Sequence, residues 1–335
     1  MPLVNTSLSL NIKQLTEDCE LLDYLCVRFP YQAHDKWKNL INDGLVEVNG
    51  SHASPETPLK KDDVITYNIR NYQEPDVNIN FRIVHRDDKL LMVHKPAGLP
   101  VHRTGKIFVN TLVNLVREHE DSDQLTLVNR LDAGTSGIVV FAREKSNAKY
   151  FSPMSPGVHW DKLYCAVIRG NLPNKKCHSN KALKERPGNK IRCQMFEEAE
   201  GKSASSQFYT IEEKNGYSLI IAAPITGRKH QLRAHLSGLG TPIIGDKIYS
   251  CEGKYYLKQI QQSLSQIDLE HLGAPHQLLH CFYCAITPAS GNQRQCVDWE
   301  PGEDFTRYFN LDRVRKWWGS KEKELFLNNL RDKTE

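Results

Sequence analysis

The sequence lacks any long uninterrupted apolar run. No stretch approaches the roughly 20 apolar residues that a membrane-spanning helix needs, so we expect no membrane partner. The first residues, MPLVNTSLSLNIKQ, also lack the basic segment and apolar stretch of a secretory signal, which makes the cytoplasm the expected compartment. The nine cysteines are an odd number without the spacing of a disulfide framework, so we expect reduced thiols.

Signatures of phosphate and metal sites are also missing. The chain has no G-x-G-x-x-G or P-loop spacing, and the loop AGTSG at residues 133–137 is not followed by the lysine of a P-loop. One group resembles a zinc site: His280, Cys281 and Cys284, with Cys296 beyond. That stretch alternates like a strand and has no second ligand pair at knuckle spacing. We therefore do not predict a zinc site here.

The composition is that of a globular protein with more than one domain. The chain has 335 residues, of which 39% are hydrophobic and 25% charged, and this length exceeds what one core usually organises. The net charge of +4 permits a polyanionic partner without requiring one.

Positive charge is concentrated between residues 171 and 202. This segment has eight Lys or Arg against four Glu, and Pro173, Pro187 and Gly188 interrupt it. The basic residues are Lys175, Lys176, Lys181, Lys184, Arg186, Lys190, Arg192 and Lys202. We interpret the segment as a mobile excursion between strands, either a solvated loop or an arm that contacts phosphates.

Residues 1–72 are predicted to form a small α/β module. LLDYLCVRF and HDKWKNLINDG have the pattern of two short amphipathic helices, and LVEVNG predicts a strand that ends in a hairpin turn at Asn49-Gly50. With DDVITYNI, residues 15–70 resemble the ribosomal-protein-S-four-like RNA-binding module. The resemblance implies RNA contacts by Lys36 and Lys38, although His34 and Asp35 replace the usual serine-arginine pair. A helix-and-hairpin cap without a ligand is the alternative.

The pattern changes after a polar linker, predicted at residues 73–80. Residues 81–310 contain apolar strands such as LLMVHK, GIVVFA, YCAVIRG, YSLIIAAP and LLHCFYCAI, with helices placed irregularly between them. This arrangement predicts an α+β catalytic domain with a mixed, mainly antiparallel central sheet flanked by helices and loops. Residues 311–335 are predicted to form a helical extension interrupted at Gly319.

The stretch VNRLDAGTSGIVVFA, residues 128–142, places Asp132 in front of a turn rich in glycine and hydroxyl groups. By itself, Asp132 would be an aspartate that caps a loop. However, NRLDAGTSG is similar to the H-R-L-D-x-x-T-S-G signature of the RluA-type pseudouridine synthases. VHKPAGLPVH, KLYCAVIRG, GKSASSQF and PITGRKHQLRAHLSGLGTPIIGDKIY follow that family's order, so residues 80–290 resemble it.

The resemblance implies a catalytic site of three residues: Asp132, Tyr164 and Arg233. Arg233 would keep Asp132 ionised in a closed pocket, because a guanidinium opposes the uptake of a proton. Tyr164 offers a ring for a uracil to stack on and a hydroxyl for proton transfer. Arg130 would fill the gap that a flipped base leaves.

Further RNA contacts are expected from three residues of the matched blocks, Lys95, Arg228 and His230. The implied reaction converts uridine to pseudouridine in structured RNA, with ribosomal RNA favoured over transfer RNA. The resemblance implies that this reaction needs no cofactor and no metal, and that the protein is a monomer. The chain departs from the family pattern at Asn129, where a histidine is usual, and at His276, where an arginine is usual. The alternative is a catalytically silent RNA-binding or ribosome-assembly factor on the same fold.

Overall fold

We determined the fold from a computed structural model that describes residues 3–15, 19–29 and 32–331, without the side chains of residues 329–331. The chain divides into two compact units, one formed by residues 1–77 and 102–111 and the other by residues 78–101 and 112–335. Within the described ranges, no helix is both long and apolar enough to cross a membrane.

The first unit combines two helices with a four-stranded sheet. Its elements are β1 (Val4–Asn11), β2 (Cys19–Glu20), α1 (Leu21–Arg28), α2 (His34–Asn42), β3 (Val46–Val48), β4 (Ser51–His52), β5 (Pro58–Leu59) and β6 (Val64–Tyr72). The sheet order is β1-β6-β3-β4, and β2 pairs with β5. Both helices and the hairpin at Asn49-Gly50 were predicted correctly, whereas β1 was not predicted. Asn49 and Gly50 both have positive φ, as a tight hairpin turn requires.

The helices of this unit form because each buries one face. Leu21 and Leu25 of α1 and Trp37 and Ile41 of α2 recur at a spacing of four residues and pack in one core with Val46 of β3. The opposite face of α2 presents polar side chains to solvent. That this unit is an RNA-binding module stays a prediction.

The segment at residues 102–111 lies in the first unit, although the sequence placed it in the catalytic domain. The carboxylate of Glu74 explains this placement. It accepts hydrogen bonds from the backbone N–H groups of Phe108 (2.5 Å), Val109 (2.7 Å) and Asn110 (3.1 Å). The predicted linker, residues 73–80, has no regular secondary structure.

The second unit is built on a ten-stranded sheet. Its strands are β7 (Arg82–Arg86), β8 (Leu90–Lys95), β9 (Thr126–Leu127), β10 (Ser136–Ala142), β11 (His159–Arg169), β12 (Lys176–Ser179), β15 (Ser206–Lys214), β16 (Tyr217–Pro224), β17 (Leu279–Thr287) and β18 (Arg294–Val297), with a separate pair formed by β13 (Leu183–Glu185) and β14 (Met195–Glu197). The sheet order is β12-β15-β16-β11-β17-β10-β8-β7, with β18 on β17 and β9 on β10. Among the described pairings, only β10 with β17 is parallel, which confirms the predicted α+β class with a mixed, mainly antiparallel sheet.

Helices lie along the chain between these strands. They are α3 (Leu112–Glu120), α4 (Lys145–Tyr150), α5 (Gln231–Gly238), α6 (Lys254–Gln261), α7 (Gln266–Leu272), α8 (Glu303–Thr306), α9 (Asp312–Trp318) and α10 (Lys321–Arg331). The last two are separated at Gly319, as predicted. Every residue of β8 and β10 is buried, so these central strands contribute the apolar burial that stabilises the unit.

The prediction that residues 171–202 form an excursion between strands is wrong, because the segment has strands of its own. The segment contributes β12 to the sheet and forms the β13–β14 pair. Its side chains Leu183 and Ile191 are buried in one cluster with Ala234, Ile248 and Tyr249. The segment is ordered because these few apolar residues anchor it, although proline, glycine and charge dominate its composition.

Candidate active site

Asp132 begins a β-turn immediately before β10. The Thr135 amide donates to the Asp132 carbonyl at 3.0 Å. The next carbonyl, that of Ala133, accepts from the Gly98 amide and from Nζ of Lys95, both at 2.9 Å. A quarter of the Asp132 side chain is exposed. The backbone is therefore clamped while the carboxylate can still be reached.

The strand order brings Asp132 and Tyr164 to the same part of the sheet. The strand β17 lies between β10 and β11, and Cys281 of β17 pairs with Gly137 on one side and with Tyr164 on the other. Gly137 has φ +110°, and a Cβ there would lie 2.3 Å from the Cys281 carbonyl oxygen. Glycine thus permits the close approach that places the Asp132 turn beside Tyr164.

Arg233 joins Asp132 to a second, fully buried carboxylate. Its Nη1 donates to Oδ2 of Asp132 at 2.8 Å. Its Nε and Nη2 donate to the two oxygens of Asp246 at 2.7 and 2.9 Å. Asp246 also accepts from the amides of Ile248 and Tyr249 at 3.0 and 3.1 Å. The fork of Arg233 is therefore fixed by Asp246 and presents its remaining nitrogen to Asp132.

The surrounding charges keep Asp132 ionised. Burial by itself would raise the pKa of the Asp132 carboxyl, but the charge of Arg233 opposes this most strongly, Arg130 adds to it, and the pKa lies below its usual value. Arg233 is held charged in turn, because the pKa rise caused by Asp246 and Asp132 outweighs the lowering caused by burial. At neutral pH the site therefore contains a carboxylate anion that is reachable from solvent.

Tyr164 is buried, with 8% of its surface exposed. Burial raises the pKa of its hydroxyl well above the usual value, and the neighbouring Cys281, Cys284 and Asp132 raise it further. The hydroxyl therefore stays protonated, and we expect Tyr164 to donate a hydrogen bond rather than to act as a base at neutral pH.

His230 lies beside the carboxylate rather than on the outer surface. Its Nε2 is 3.7 Å from Oδ1 of Asp132, and its Nδ1 is 3.2 Å from the Tyr249 hydroxyl. Burial, with the charge of Arg233, lowers the pKa of His230 to about 4, so the ring is neutral at neutral pH. We expected His230 to contact RNA, and the structure places it between Asp132 and Tyr249.

Lys95 is fully buried, which corrects the prediction that it contacts RNA. Its Nζ donates to the carbonyls of Pro96, Leu99 and Ala133 at 2.8–2.9 Å. Burial lowers the pKa of Lys95 to about 7, although Asp132 opposes this shift, and three carbonyl acceptors match the three N–H groups of the ammonium form. Lys95 therefore fixes the loop below Asp132 and has no donor left for a phosphate.

The remaining predicted RNA contacts are exposed cations. Arg130 is exposed two residues before Asp132, and no hydrogen bond or ion pair joins its side chain to the part of the chain that the structure describes. Arg228 is exposed, with its Nε donating to the Ser203 carbonyl at 2.9 Å. Lys36 and Lys38 are exposed on α2 of the other unit. Arg130 thus lies next to the carboxylate, as the family resemblance implies.

The two departures from the family pattern occupy packed positions. Oδ1 of Asn129 accepts from the Val140 amide at 2.7 Å, so Asn129 fixes the chain against β10. His276 packs over Gly98, where a Cβ would lie 2.7 Å from its Nε2. Burial, with the charges of Lys247 and Lys95, lowers the pKa of His276 to about 4. His276 therefore does not supply the positive charge of the usual arginine.

A second polar cluster lies in the sheet interior. His94, His280 and Asp298 bring three possible ligand atoms within 4.8 Å of one another. Asp298 already accepts from His94 (2.5 Å) and from Arg82 (3.0 Å), while His280 bonds Ser136 at 2.9 Å. A neighbouring arginine disfavours a bound cation, so this cluster has the character of a structural network. The cysteines considered for zinc are buried free thiols on β17 and β18.

Asp246, Tyr249 and Asp298 were not predicted as parts of polar networks. Asp246 and Tyr249 lie in the block GDKIY, which the resemblance includes without giving them roles. The pair Gly245-Asp246 is the sequence signal that could have marked a turn here, and Gly245 does have positive φ. Asp298 has no comparable signal, because its partners His94 and Arg82 are about 200 residues away in sequence.

Known proteins are similar to this chain in sequence and in fold. The family model described as RNA pseudouridylate synthase matches residues 89–238. The mitochondrial tRNA pseudouridine(32) synthase of Saccharomyces cerevisiae is 30% identical over 241 residues, which cover 71% of this chain. Ribosomal large subunit pseudouridine synthase D of Zymomonas mobilis is 29% identical over 296 residues, 83% of this chain and 89% of that protein. The structure of human RNA Pseudouridylate Synthase Domain Containing 1 superposes with a TM-score of 0.54 at 23% identity, covering 68% of this chain and 87% of the other.

The matches differ in how much of each relative they cover. The chain spans about half of the yeast protein, 52% of its length, and most of the bacterial one. The human structure, at 23% identity, shows the fold alone. The family model contains Asp132, Tyr164 and Arg233 within its matched range. Residues 89–238 therefore match the RNA pseudouridylate synthase family, and the blocks quoted above resemble its RluA-type members.

Proposed function

We propose that this protein isomerises specific uridines of structured RNA to pseudouridine, with Asp132 as the catalytic carboxylate. The observation that carries the proposal is the ionised, partly exposed Asp132 held by buried Arg233 at 2.8 Å. A buried arginine opposite an aspartate is costly to maintain and has no evident use in a silent scaffold. This geometry favours the enzyme over a catalytically silent RNA-binding or ribosome-assembly factor.

The isomerisation adds and removes no atoms overall. The bond from ribose C1′ to N1 of uracil breaks, a bond from C1′ to C5 forms, C5 loses its proton and N1 gains one. Asp132 can assist by adding to the ring, by adding to the sugar, or by acting first as a base at the sugar. Each role needs an unprotonated Asp132, which is the state that Arg233 maintains. The ring of Tyr164 would stack on the uracil, and its hydroxyl would donate a hydrogen bond.

Access to the carboxylate requires that the uridine leaves its stack. We propose that Arg130 takes the place of the flipped base, because it is exposed, has no side-chain partner in the described chain, and lies two residues from Asp132. Flipping costs a few kcal/mol, and a guanidinium that stacks on the neighbouring bases offsets part of this cost. Arg228, Lys36 and Lys38 are proposed to contact phosphates.

The target and the cellular context belong to the same proposal. The relatives described above are named for tRNA and for large-subunit ribosomal RNA. We propose ribosomal RNA, since the Zymomonas protein matches 83% of this chain and the yeast tRNA enzyme 71%. We further propose that the protein is a monomer, that it acts in the cytoplasm and that it needs no cofactor.

The test is pseudouridine mapping of total RNA. Cells with the gene deleted are complemented with wild-type protein, with Asp132→Asn, or with Asp312→Asn as the control for the chemical change. The asparagine in Asp132→Asn keeps the size of the native side chain and can still accept from Arg233, but it has no negative charge. We expect sites lost on deletion to return with wild-type protein and Asp312→Asn only.

The class of RNA that carries the lost sites decides the target. A site that returns with Asp132→Asn would disprove the role of the carboxylate. If no uridine changes in any strain while deletion impairs ribosome assembly, the silent factor is correct.

A further inference from the structure

The histidine beside the catalytic carboxylate is the end of a directed chain of hydrogen bonds. The Met195 amide donates to the Tyr249 hydroxyl oxygen at 2.8 Å. The same hydroxyl is 3.2 Å from Nδ1 of His230, and Nε2 of His230 faces Oδ1 of Asp132 at 3.7 Å. Met195 belongs to β14, so the chain of hydrogen bonds begins in the basic segment at residues 171–202 and ends at His230, which faces Asp132.

The direction of this chain follows from the donors available. The backbone N–H of Met195 can only donate, so it occupies a lone pair of the Tyr249 oxygen. The Tyr249 hydroxyl stays protonated, because burial raises its pKa. Among the described residues, Nδ1 of His230 is the acceptor within reach of that hydroxyl. The hydroxyl therefore donates to Nδ1, and the ring proton must reside on Nε2.

We propose that His230 is a positioning residue, locked as the Nε2–H tautomer by Tyr249, that directs this N–H at Oδ1 of Asp132. The inference rests on the proposed function and adds a residue to its machinery. Arg233 holds Oδ2 of the same carboxylate, so Oδ1 is the oxygen left to react. The distance of 3.7 Å is longer than a hydrogen bond, so the N–H acts on Oδ1 as an oriented dipole.

The same bonds exclude His230 from proton transfer. Its Nδ1 lone pair is engaged by Tyr249, and its Nε2 already carries a proton, so the neutral ring has no free basic site. The charged groups that act on it are Arg233, Asp132, Asp246 and Lys229, and together with burial they leave it neutral. The backbone of His230 also has φ +53°, a strained conformation for a non-glycine residue, which a site keeps where the side chain is needed.

The first test determines the tautomer and protonation of the His230 ring in the protein without RNA. With ¹⁵N-labelled histidine, NMR correlation of ring nitrogens and carbon-bound protons distinguishes the two tautomers, and His230→Gln assigns the signal. We expect the neutral Nε2–H form at pH 7 in wild type and a rise of the Nδ1–H form in Tyr249→Phe. This substitution removes only the hydroxyl and keeps an aromatic ring over Arg233, whose Cζ is 5.1 Å from the Tyr249 centroid. An Nδ1–H or protonated ring in wild type would overturn the proposal.

The second test compares two amides at position 230. Glutamine places its N–H near the position of Nε2, whereas asparagine reaches only as far as Nδ1. We expect His230→Gln to retain kcat within about tenfold and His230→Asn to lose about a hundredfold, with KM changed less than about threefold. A purely structural role would lower the thermal stability and kcat of both variants together.

The third measurement separates this inference from the proposed function. Titration of the Asp132 carboxyl by ¹³C NMR needs no turnover. We expect His230→Asn to raise the pKa of Asp132 and His230→Gln to leave it within a few tenths of wild type. Equal pKa values in the two variants would refute the directed N–H even if the enzyme is active, and unequal values would support it even if no RNA is modified.

Discussion

The anchoring of Arg233 by Asp246 gives a prediction whose size follows from the contacts. In Asp246→Asn, the amide oxygen can take the place of Oδ1 and accept the three donors there, which are Nη2 of Arg233 and the amides of Ile248 and Tyr249. The amide nitrogen then replaces Oδ2, where Nε of Arg233 now donates at 2.7 Å. Two N–H groups face each other in a dry site, and one charge-assisted bond is lost.

The free energies add to a large effect. A charge-assisted hydrogen bond contributes about 1.5–3 kcal/mol, and a buried donor without a partner costs about 1–3 kcal/mol. Because Arg233 is buried and its charge is only partly compensated by Asp132, we expect Asp246→Asn to lower the free energy of unfolding by about 3–5 kcal/mol. For a unit of this size, that corresponds to a fall in Tm of roughly 6–20 °C.

The catalytic effect is expected to exceed what lost stability explains. Without its anchor, the guanidinium shifts relative to Asp132, and a displacement of about 1 Å in such a site costs about a hundredfold in rate. We therefore expect kcat to fall at least about a hundredfold at a temperature where the variant is fully folded, while KM changes little.

The assay is urea unfolding and steady-state conversion of an RNA substrate. Asp312→Asn is the matched control, because Asp312 pairs with Arg315 at 3.3 Å on the outer face of α9 and 70% of its side chain is exposed. The control should change stability by less than about 0.5 kcal/mol and leave kcat unaltered. If Asp246→Asn unfolds and reacts like Asp312→Asn, Asp246 does not hold Arg233 and the argument is refuted.

Two further predictions concern buried basic side chains. Lys95→Met should destabilise the protein by about 2–4 kcal/mol in urea unfolding, because it removes the donor shared by three buried carbonyls; a loss below about 0.5 kcal/mol would contradict this. His230, His276 and His280 have pKa values of about 4 when folded, so between about pH 6.5 and 4 the unfolded chain binds more protons than the folded one. The free energy of unfolding should fall as pH is lowered through that window, on the order of 3 kcal/mol per histidine; unfolding midpoints that do not change between pH 7 and pH 4.5 would contradict it.

The strands that the sequence predicts are those whose apolar residues form continuous runs. In β8, β10 and β17 nearly every side chain is buried, so an apolar run such as LLMV or GIVVFA is sufficient to predict a strand. By contrast, β1 alternates between one buried or half-buried side chain and one exposed one, with serine and asparagine in most outward positions. Its pairing with β6 over seven residue pairs depends on a distant segment, which local pattern does not show.

The ordered segment at residues 171–202 shows a different limit of sequence patterns. Proline, glycine and lysine are typical of exposed loops, and most of these residues are in fact exposed. Order comes from Leu183 and Ile191, which are irregularly spaced and therefore have no periodicity. Their partners, Ala234, Ile248 and Tyr249, follow later in the chain. Such order depends on tertiary contacts that composition cannot represent.

The site could be predicted in part for the same reason. Asp132, Tyr164 and Arg233 follow from ordered blocks of sequence, since those blocks carry the family resemblance. The state of Lys95 does not follow, because a lysine before a Pro-Ala-Gly turn suggests an exposed cation. Only the fold shows that three carbonyls converge on its ammonium group. Because Lys95 is buried, it supports the Asp132 turn instead of contacting RNA.

These supports act on different parts of Asp132. Lys95 and the Gly98 amide hold the backbone through the Ala133 carbonyl, whereas Arg233 fixes one carboxylate oxygen from the side. All of these bonds lie within the protein, so the carboxylate is oriented without a substrate, and in the proposed reaction its reorganisation would not be part of the barrier. Loss of a support should therefore lower kcat more than it raises KM, whereas loss of exposed Arg130 should weaken RNA binding or base flipping. That contrast separates residues that prepare the carboxylate from residues that deliver the uridine to it.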